Sequence, residues 1–172
     1  MLEPATPYHA KGLWLAAVAD PDPVLLFERK LRYKMKGPVP EGQYTVPIGK
    51  AATRRAGRGP ARVGCGIMVS RALEAALTLA GEGIDPRSLR PLDMEKIVAS
   101  VKKTPRLMCV YEGVKAFGVG AEIAAGVAES EASDYLDADI VRLGGADAPV
   151  PCNPARERAM APQAQDIVAA AR

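Results

Sequence analysis

Aromatic side chains make up only 5% of the 172 residues, histidine occurs once, at His9, and the cysteines number three. Few aromatics and much Ala, Val, Gly and Leu disfavour a β-sandwich and favour helices packed closely on a parallel sheet. Cys65, Cys109 and Cys152 are odd in number and far apart, with no C-x-x-C pair. That excludes a disulfide framework and a structural zinc site, and it predicts three small buried hydrophobes in a reducing compartment. One histidine with no adjacent Ser, Cys or Asp partner makes no nucleophilic triad, so His9 is expected as a solvated residue at a helix start. Charge of one sign is also lacking: the formal net charge is +3, too little to imply nucleic acid. No apolar run approaches the ~20 residues that span a membrane. The acidic, proline-broken Met1-Leu2-Glu3-Pro4 has no apolar core of a signal peptide, so a cytoplasmic protein is expected.

What is present is the composition of a globular fold, with 48% hydrophobic and 25% charged residues. Tyr8 to Ala19 carries Leu13, Ala16 and Ala17 at helical spacing, widened by Trp14 and Val18. Asp20-Pro21-Asp22-Pro23 stops that helix, and Val24-Leu25-Leu26-Phe27 reads as a strand buried on both faces. Together they form half of a β–α–β unit with no sheet in front of it. Arg29, Lys30, Arg32, Lys34 and Lys36 alternate with Leu31, Tyr33 and Met35. That predicts the charged face of an edge segment or a strip for an acidic partner.

Gly37-Pro38-Val39-Pro40-Glu41-Gly42 cannot continue a regular element. We therefore expect residues 1–36 and 51–172 to be separate units joined by a linker at 37–50. Ala51–Arg55 and Ala61–Cys65 flank Gly57-Arg58-Gly59 as a hairpin would, although Pro60 and Arg62 suit a strand poorly. Met68 to Ala80 is an amphipathic helix that Gly81-Glu82-Gly83 ends. Asp93 caps a second helix. Leu107–Tyr111 and Ile140–Leu143 are strands, Gly118-Val119-Gly120 opens a third helix, and Gln163 to Ala170 is a last one. The alternation is α/β with a mostly parallel sheet. Between Gly83 and Asp93 the chain is too short and too polar for the strand such a fold normally places there.

Several runs, in order along nearly the whole chain, resemble the beta subunit of the thiamine diphosphate-dependent 2-oxoacid dehydrogenases, the pyruvate, branched-chain and acetoin enzymes. They are Thr6-Pro7-Tyr8-His9-Ala10-Lys11-Gly12-Leu13, Asp22 to Glu28, Tyr44 to Ala51, Leu73 to Ala76 and Leu89-Arg90-Pro91-Leu92-Asp93. Phe117 to Ile123, Asp134 to Ala138 and Pro162 to Ile167 continue the series. The resemblance implies a three-layer transketolase C-terminal domain with a mixed, mostly parallel sheet from about residue 50 onward. It implies that residues 1–36 are the last helix and strand of the domain that binds the pyrimidine end of thiamine diphosphate. The strand normally found after the first helix of the second domain is expected to be deleted here. The family's catalytic glutamate and histidine lie upstream of these residues, so no catalytic and no cofactor-binding residue carries over.

One site does carry over on the resemblance. The helix-end turn matches a loop in which some members hold potassium, which assigns Ala17, Val18, Asp20 and Asp22 as its ligands. Carbonyls at a helix end and two carboxylates suit a cation, while the plain alternative is a proline turn shaped by its aspartates. Gly118-Val119-Gly120 offers a helix N-terminus for phosphate but lacks a dinucleotide fingerprint and a Walker lysine, so close helix packing is the simpler reading. The implied partners are an alpha subunit, a second beta subunit and the lipoyl acyltransferase component, with neither nucleic acid nor membrane. The implied role is assembly and acyltransferase docking, with thiamine diphosphate bound only in the intact enzyme. Two alternatives stay open: a non-catalytic module, or truncated paralogue, that pairs with an alpha subunit or a separate N-terminal half; and an independent nucleotide-binding α/β protein.

Overall fold

The computed structural model describes residues 1–171. Helix α1 (Pro7–Ala19) begins at Thr6, whose hydroxyl accepts the His9 N–H at 3.1 Å, with Pro7 preset for the first turn. The rest builds a five-stranded sheet in the order β1-β3-β2-β4-β5. Its strands are β1 (Ala52–Arg55), β2 (Gly59–Gly64), β3 (Gly81–Asp85), β4 (Leu107–Val114) and β5 (Val141–Gly145). Only β1 runs antiparallel, on the outer edge of β3. Helices α2 (Ile67–Leu79), α3 (Met94–Lys103), α4 (Val119–Ala128), α5 (Pro154–Met160) and α6 (Ala164–Ala170) complete the fold. This is the mixed, mostly parallel α/β architecture expected.

Alternation along the strands divides the core. Ala61, Val63, Cys109 and Tyr111 face α3 and α4, packing on Ile97, Val101, Ile123 and Val127. Met108 and Val110 face the other way, onto Met68 and Ala75 of α2 and Ile167 of α6. Arg62 shares the α2 face and is fully buried.

Four expectations are corrected here. The strand expected to be missing exists: Gly81-Glu82-Gly83-Ile84-Asp85 is β3, buried throughout between β1 and β2. Ala80, left-handed at φ 49°, turns α2 straight into it without a loop. Ideal strand formers are absent because the space is already taken. A Cβ on Gly81 would lie 1.6 Å from Arg62 Nη1, and one on Gly83 would lie 2.9 Å from the Leu73 side chain. The acids find partners instead: Glu82 accepts from Ser100 Oγ at 2.8 Å and pairs with Lys103. Burial works against the Glu82 charge, but those hydrogen bonds hold its carboxyl below the usual value.

The hairpin is the second correction. β1 and β2 do not pair with each other, because β3 lies between them and pairs with both. Third, Val24–Phe27 is not a strand of the sheet. Leu26 forms one parallel bridge to Leu2, and Leu25 and Phe27 are exposed. Leu2 in turn bridges Ser88, so residues 25–27, 1–3 and 87–89 form a short ribbon beside the main sheet. Fourth, the α1 stripe buries only its narrow side. Leu13 and Ala17 join Leu2, Val24, Leu26 and Val46 in a small separate core, while Trp14 and Val18 face solvent. Helix α5 has no amphipathic signature, because Pro154-Ala155-Arg156-Glu157 lacks apolar spacing, and the Asn153 side chain caps it.

Candidate functional site

In a doubly wound sheet, ligands bind outside the carboxyl ends of the strands, where successive crossovers diverge. Here β2 leads through α2 to β3 on one side, and β3 leads through α3 to β4 on the other, so that point lies between β2 and β4. The first strand-to-helix turn is Gly64-Cys65-Gly66, with Gly66 at φ 55° opening α2 without a side-chain cap. A nucleotide fold would present phosphate to that helix end. In this chain Glu3 occupies it: a Cβ on Gly66 would lie 2.0 Å from Glu3 Oε1.

Around Glu3 gathers a polar cluster from the N-terminal segment and the strand ends. Arg29 pairs with Glu112 at the end of β4, at 2.7 Å. Arg32 donates to the Ala5 carbonyl and to Ser70 Oγ on α2, the latter at 2.9 Å. His9 is not solvated, which corrects its assignment: it is 2% exposed, with Nδ1 3.1 Å from Oδ2 of the fully buried Asp85. Asp85 also accepts the Arg87 N–H at 3.0 Å. Burial pushes the Glu3 carboxyl above the usual range, helped by Glu112, and burial does the same to Glu112. The Arg32 guanidinium is lowered by burial despite its acidic neighbours.

The raised Glu3 value fixes a sign. The folded chain holds this proton more tightly than the unfolded chain, so stability falls as pH rises from the ordinary carboxylate value through the raised one. Glu3→Gln should therefore be more stable than the parent at pH 7 and should lose less stability between pH 4.5 and 7. Urea denaturation across that range measures both.

Of these residues, the sequence drew attention only to His9, as a solvated residue, and to Arg29 and Arg32, as part of the basic strip; Glu3, Asp85 and Glu112 carried no signal. The available signal was Gly64-Cys65-Gly66 after an apolar strand and before an amphipathic helix. The sequence-assigned positions lie elsewhere. Ala17, Val18, Asp20 and Asp22 share the turn ending α1, where the Ala17 carbonyl accepts the Asp20 N–H at 3.4 Å and Asp20 Oδ1 accepts the Asp22 N–H at 3.0 Å. Among the described residues no group of three or more His, Cys, Asp or Glu is placed to hold a metal. Gly118 and Gly120 seat the Tyr111 ring: a Cβ on either would lie 2.5 or 2.1 Å from its edge. The basic strip is no edge face, because a 3-10 turn at Lys30–Arg32 directs Arg29 and Arg32 inward. Cys65 and Cys109 are buried as expected, and burial raises both thiols, Cys109 to about 12. Cys152 is exposed, in the loop before α5 rather than on a packed element.

The family described as "Transketolase, C-terminal domain" matches residues 49–167. The chain belongs to this family. Within the transketolase C-terminal domains it corresponds to the portion found in 2-oxoacid dehydrogenase beta subunits. It is 45% identical over 170 residues to the acetoin:2,6-dichlorophenolindophenol oxidoreductase subunit beta of Bacillus subtilis, covering 96% of this chain and 49% of that protein. It is 44% identical over 181 residues to the mitochondrial pyruvate dehydrogenase E1 component subunit beta-1 of Arabidopsis thaliana, covering 100% of this chain and 50% of that protein. The chain thus spans about half the length of the curated relatives it matches. Among solved structures it is similar to a chain titled "Split gene transketolase, inactive beta4 tetramer". The TM-score is 0.63 at 27% identity, over 74% of this chain and 41% of that one. No helix among the described residues is long and apolar enough to cross a membrane.

Proposed function

We propose that this chain is the assembly-and-docking part of a 2-oxoacid dehydrogenase beta subunit. It holds subunits together and offers the lipoyl acyltransferase component a surface, while decarboxylation depends on residues outside it. The carrying observation is the similarity to beta subunits over essentially the whole chain. On this reading residues 1–36 come from the pyrimidine-binding domain, 37–50 connect, and 51–172 form the transketolase C-terminal domain.

Thiamine diphosphate supplies the carbanion chemistry of such enzymes when bound. The residues at the carboxyl ends of this sheet do not fit its diphosphate, because Glu3 places a carboxylate where phosphate needs donors. The chain's own contribution is therefore structural. Trp14 and Val18, one helical turn apart on α1 and 55% and 67% exposed, supply apolar area for a subunit contact. A potassium ion in the Ala17–Asp22 turn belongs to the same proposal. Ala17, Val18, Asp20 and Asp22 together fall short of the six or more oxygens a hard cation takes, so the remaining ligands come from outside this turn.

The test is co-expression with an alpha subunit and a separate beta-subunit N-terminal half, followed by size-exclusion chromatography and a decarboxylation assay. The expected result is one complex, thiamine-dependent activity in that complex, and none in the lone chain. Decarboxylation by the lone chain sinks the proposal. A non-catalytic module is the second reading, favoured by the inactive tetramer of the similar split-gene chain. A complex without activity supports it.

A further inference from the structure

Residues 36–43 are exposed throughout and belong to no helix or strand. Such a stretch has no buried side chain to offset the entropy of ordering it. From Tyr44 onward the chain is secured along α1. The Tyr44 hydroxyl donates to the Tyr8 carbonyl at 2.8 Å, the two rings stack at 4.6 Å, and the Val46 N–H donates to the Gly12 carbonyl at 3.0 Å. For residues 36–43 themselves, Lys11 is the sole hydrogen-bond partner among the described residues. Its Nζ donates to the Pro40 carbonyl at 2.5 Å, to that of Glu41 at 3.2 Å and to that of Gly42 at 2.9 Å. A lysine ammonium has three N–H donors and no acceptor, so these consecutive carbonyls use all of its donors. The charge meets no carboxylate, because Lys11 forms no ion pair among the described residues. It is balanced by the carbonyl dipoles and by the Tyr44 ring, whose centroid lies 5.2 Å from Nζ.

We infer that the Pro40, Glu41 and Gly42 carbonyls and the Tyr44 ring form a receptor for a primary ammonium group. Lys11 fills it from within the chain and so latches residues 36–43 across α1. The donor pattern selects this class of cation. A guanidinium is planar and cannot aim three N–H groups into one tripod. A quaternary ammonium has no N–H to give. A hard metal ion takes six or more oxygens, twice what the carbonyls supply. Pro38 and Pro40 of the latched stretch line a cleft with Pro7, Tyr8 and Arg54. Release of Lys11 therefore removes one wall of that cleft, while the cores around α1 and the sheet stay intact.

Cleavage of the whole chain after Glu41 by a glutamate-specific protease reports the latch, because at low protease the rate follows the open population. Lys11→Met keeps the apolar stem and loses the N–H groups. It should be cut after Glu41 about tenfold faster than the parent. Its melting temperature should be unchanged, because residues 36–43 bury nothing. Lys11→Ala should be cut as fast, and about 50 mM propylammonium, the fragment that this substitution deletes, should slow the cut about threefold. Tetramethylammonium at the same concentration carries the charge without the donors and should give no protection. A misfolded chain would not distinguish these two ions. Cleavage of Lys11→Met at the parent rate overturns the inference, as does equal protection of Lys11→Ala by both ions.

Discussion

Replacing Arg62 with methionine should raise the melting temperature of this chain by roughly 5–10 °C, an unusual sign for a core substitution. Arg62 sits in the middle of β2 with 0% of its surface exposed. None of its three guanidinium nitrogens has a hydrogen-bond partner among the described residues. Burial pulls its pKa down, and Arg55 adds repulsion. A buried charge without a counter-ion costs several kcal/mol after relaxation, whereas an apolar side chain of similar length has no such penalty. Methionine is the replacement of choice because it is unbranched and can follow the arginine stem over Gly81 without leaving a large cavity. A gain of about 3 kcal/mol is expected after allowing for imperfect packing. Urea and thermal denaturation of the two proteins measure it. A melting temperature that falls instead would show that the guanidinium has found an anion.

The second large effect has the opposite sign. Gly120→Ala should destabilise the chain by about 3 kcal/mol, the upper range for overpacking a filled core. The added methyl would lie 2.1 Å from Tyr111 Cε1, and the ring cannot retreat, because Gly118 contacts its other edge and it is only 4% exposed. The Tyr111 hydroxyl is itself buried without a partner, so the ring is held by packing alone. Shortening it should relieve the clash. In a double-mutant cycle, Tyr111→Val with Gly120→Ala should be more stable than the sum of the single changes by about 2 kcal/mol. Additive losses would mean that the glycine matters for its backbone and not for the ring.

These two residues also show what the sequence could and could not say. Amphipathic α2, the Asp93 cap of α3 and the apolar run of β4 were legible because their signals are local. β3 was not: its two glycines and two acids contradict strand propensity, and only tertiary partners make the strand. Arg62 above Gly81, Ser100 and Lys103 beside Glu82, and His9 on Asp85 come from other elements, the last from 76 residues away. The same reason hid the Glu3 cluster. A single acidic residue near the start of a chain carries no hint that it will rest on the first turn of α2. The family was nevertheless readable, because its motifs are ordered along the chain even where an individual strand has been rewritten.

The three-part ribbon has a consequence in time. Residues 1–3 are made before residues 25–27, yet they lie between those residues and Ser88, and the Met1 amino group donates to the Arg90 carbonyl at 2.7 Å. At about 5–20 residues per second, roughly 4–17 s pass before both sides of that slot have been synthesised. During that interval Leu2 and the apolar run from Val24 to Phe27 can pair with each other but not yet with Ser88. The pairing of residues 1–3 with residues 25–27 thus stays half-open until Ser88 is made, and in that interval it is open to capture by a chaperone or by a neighbour on the same polysome.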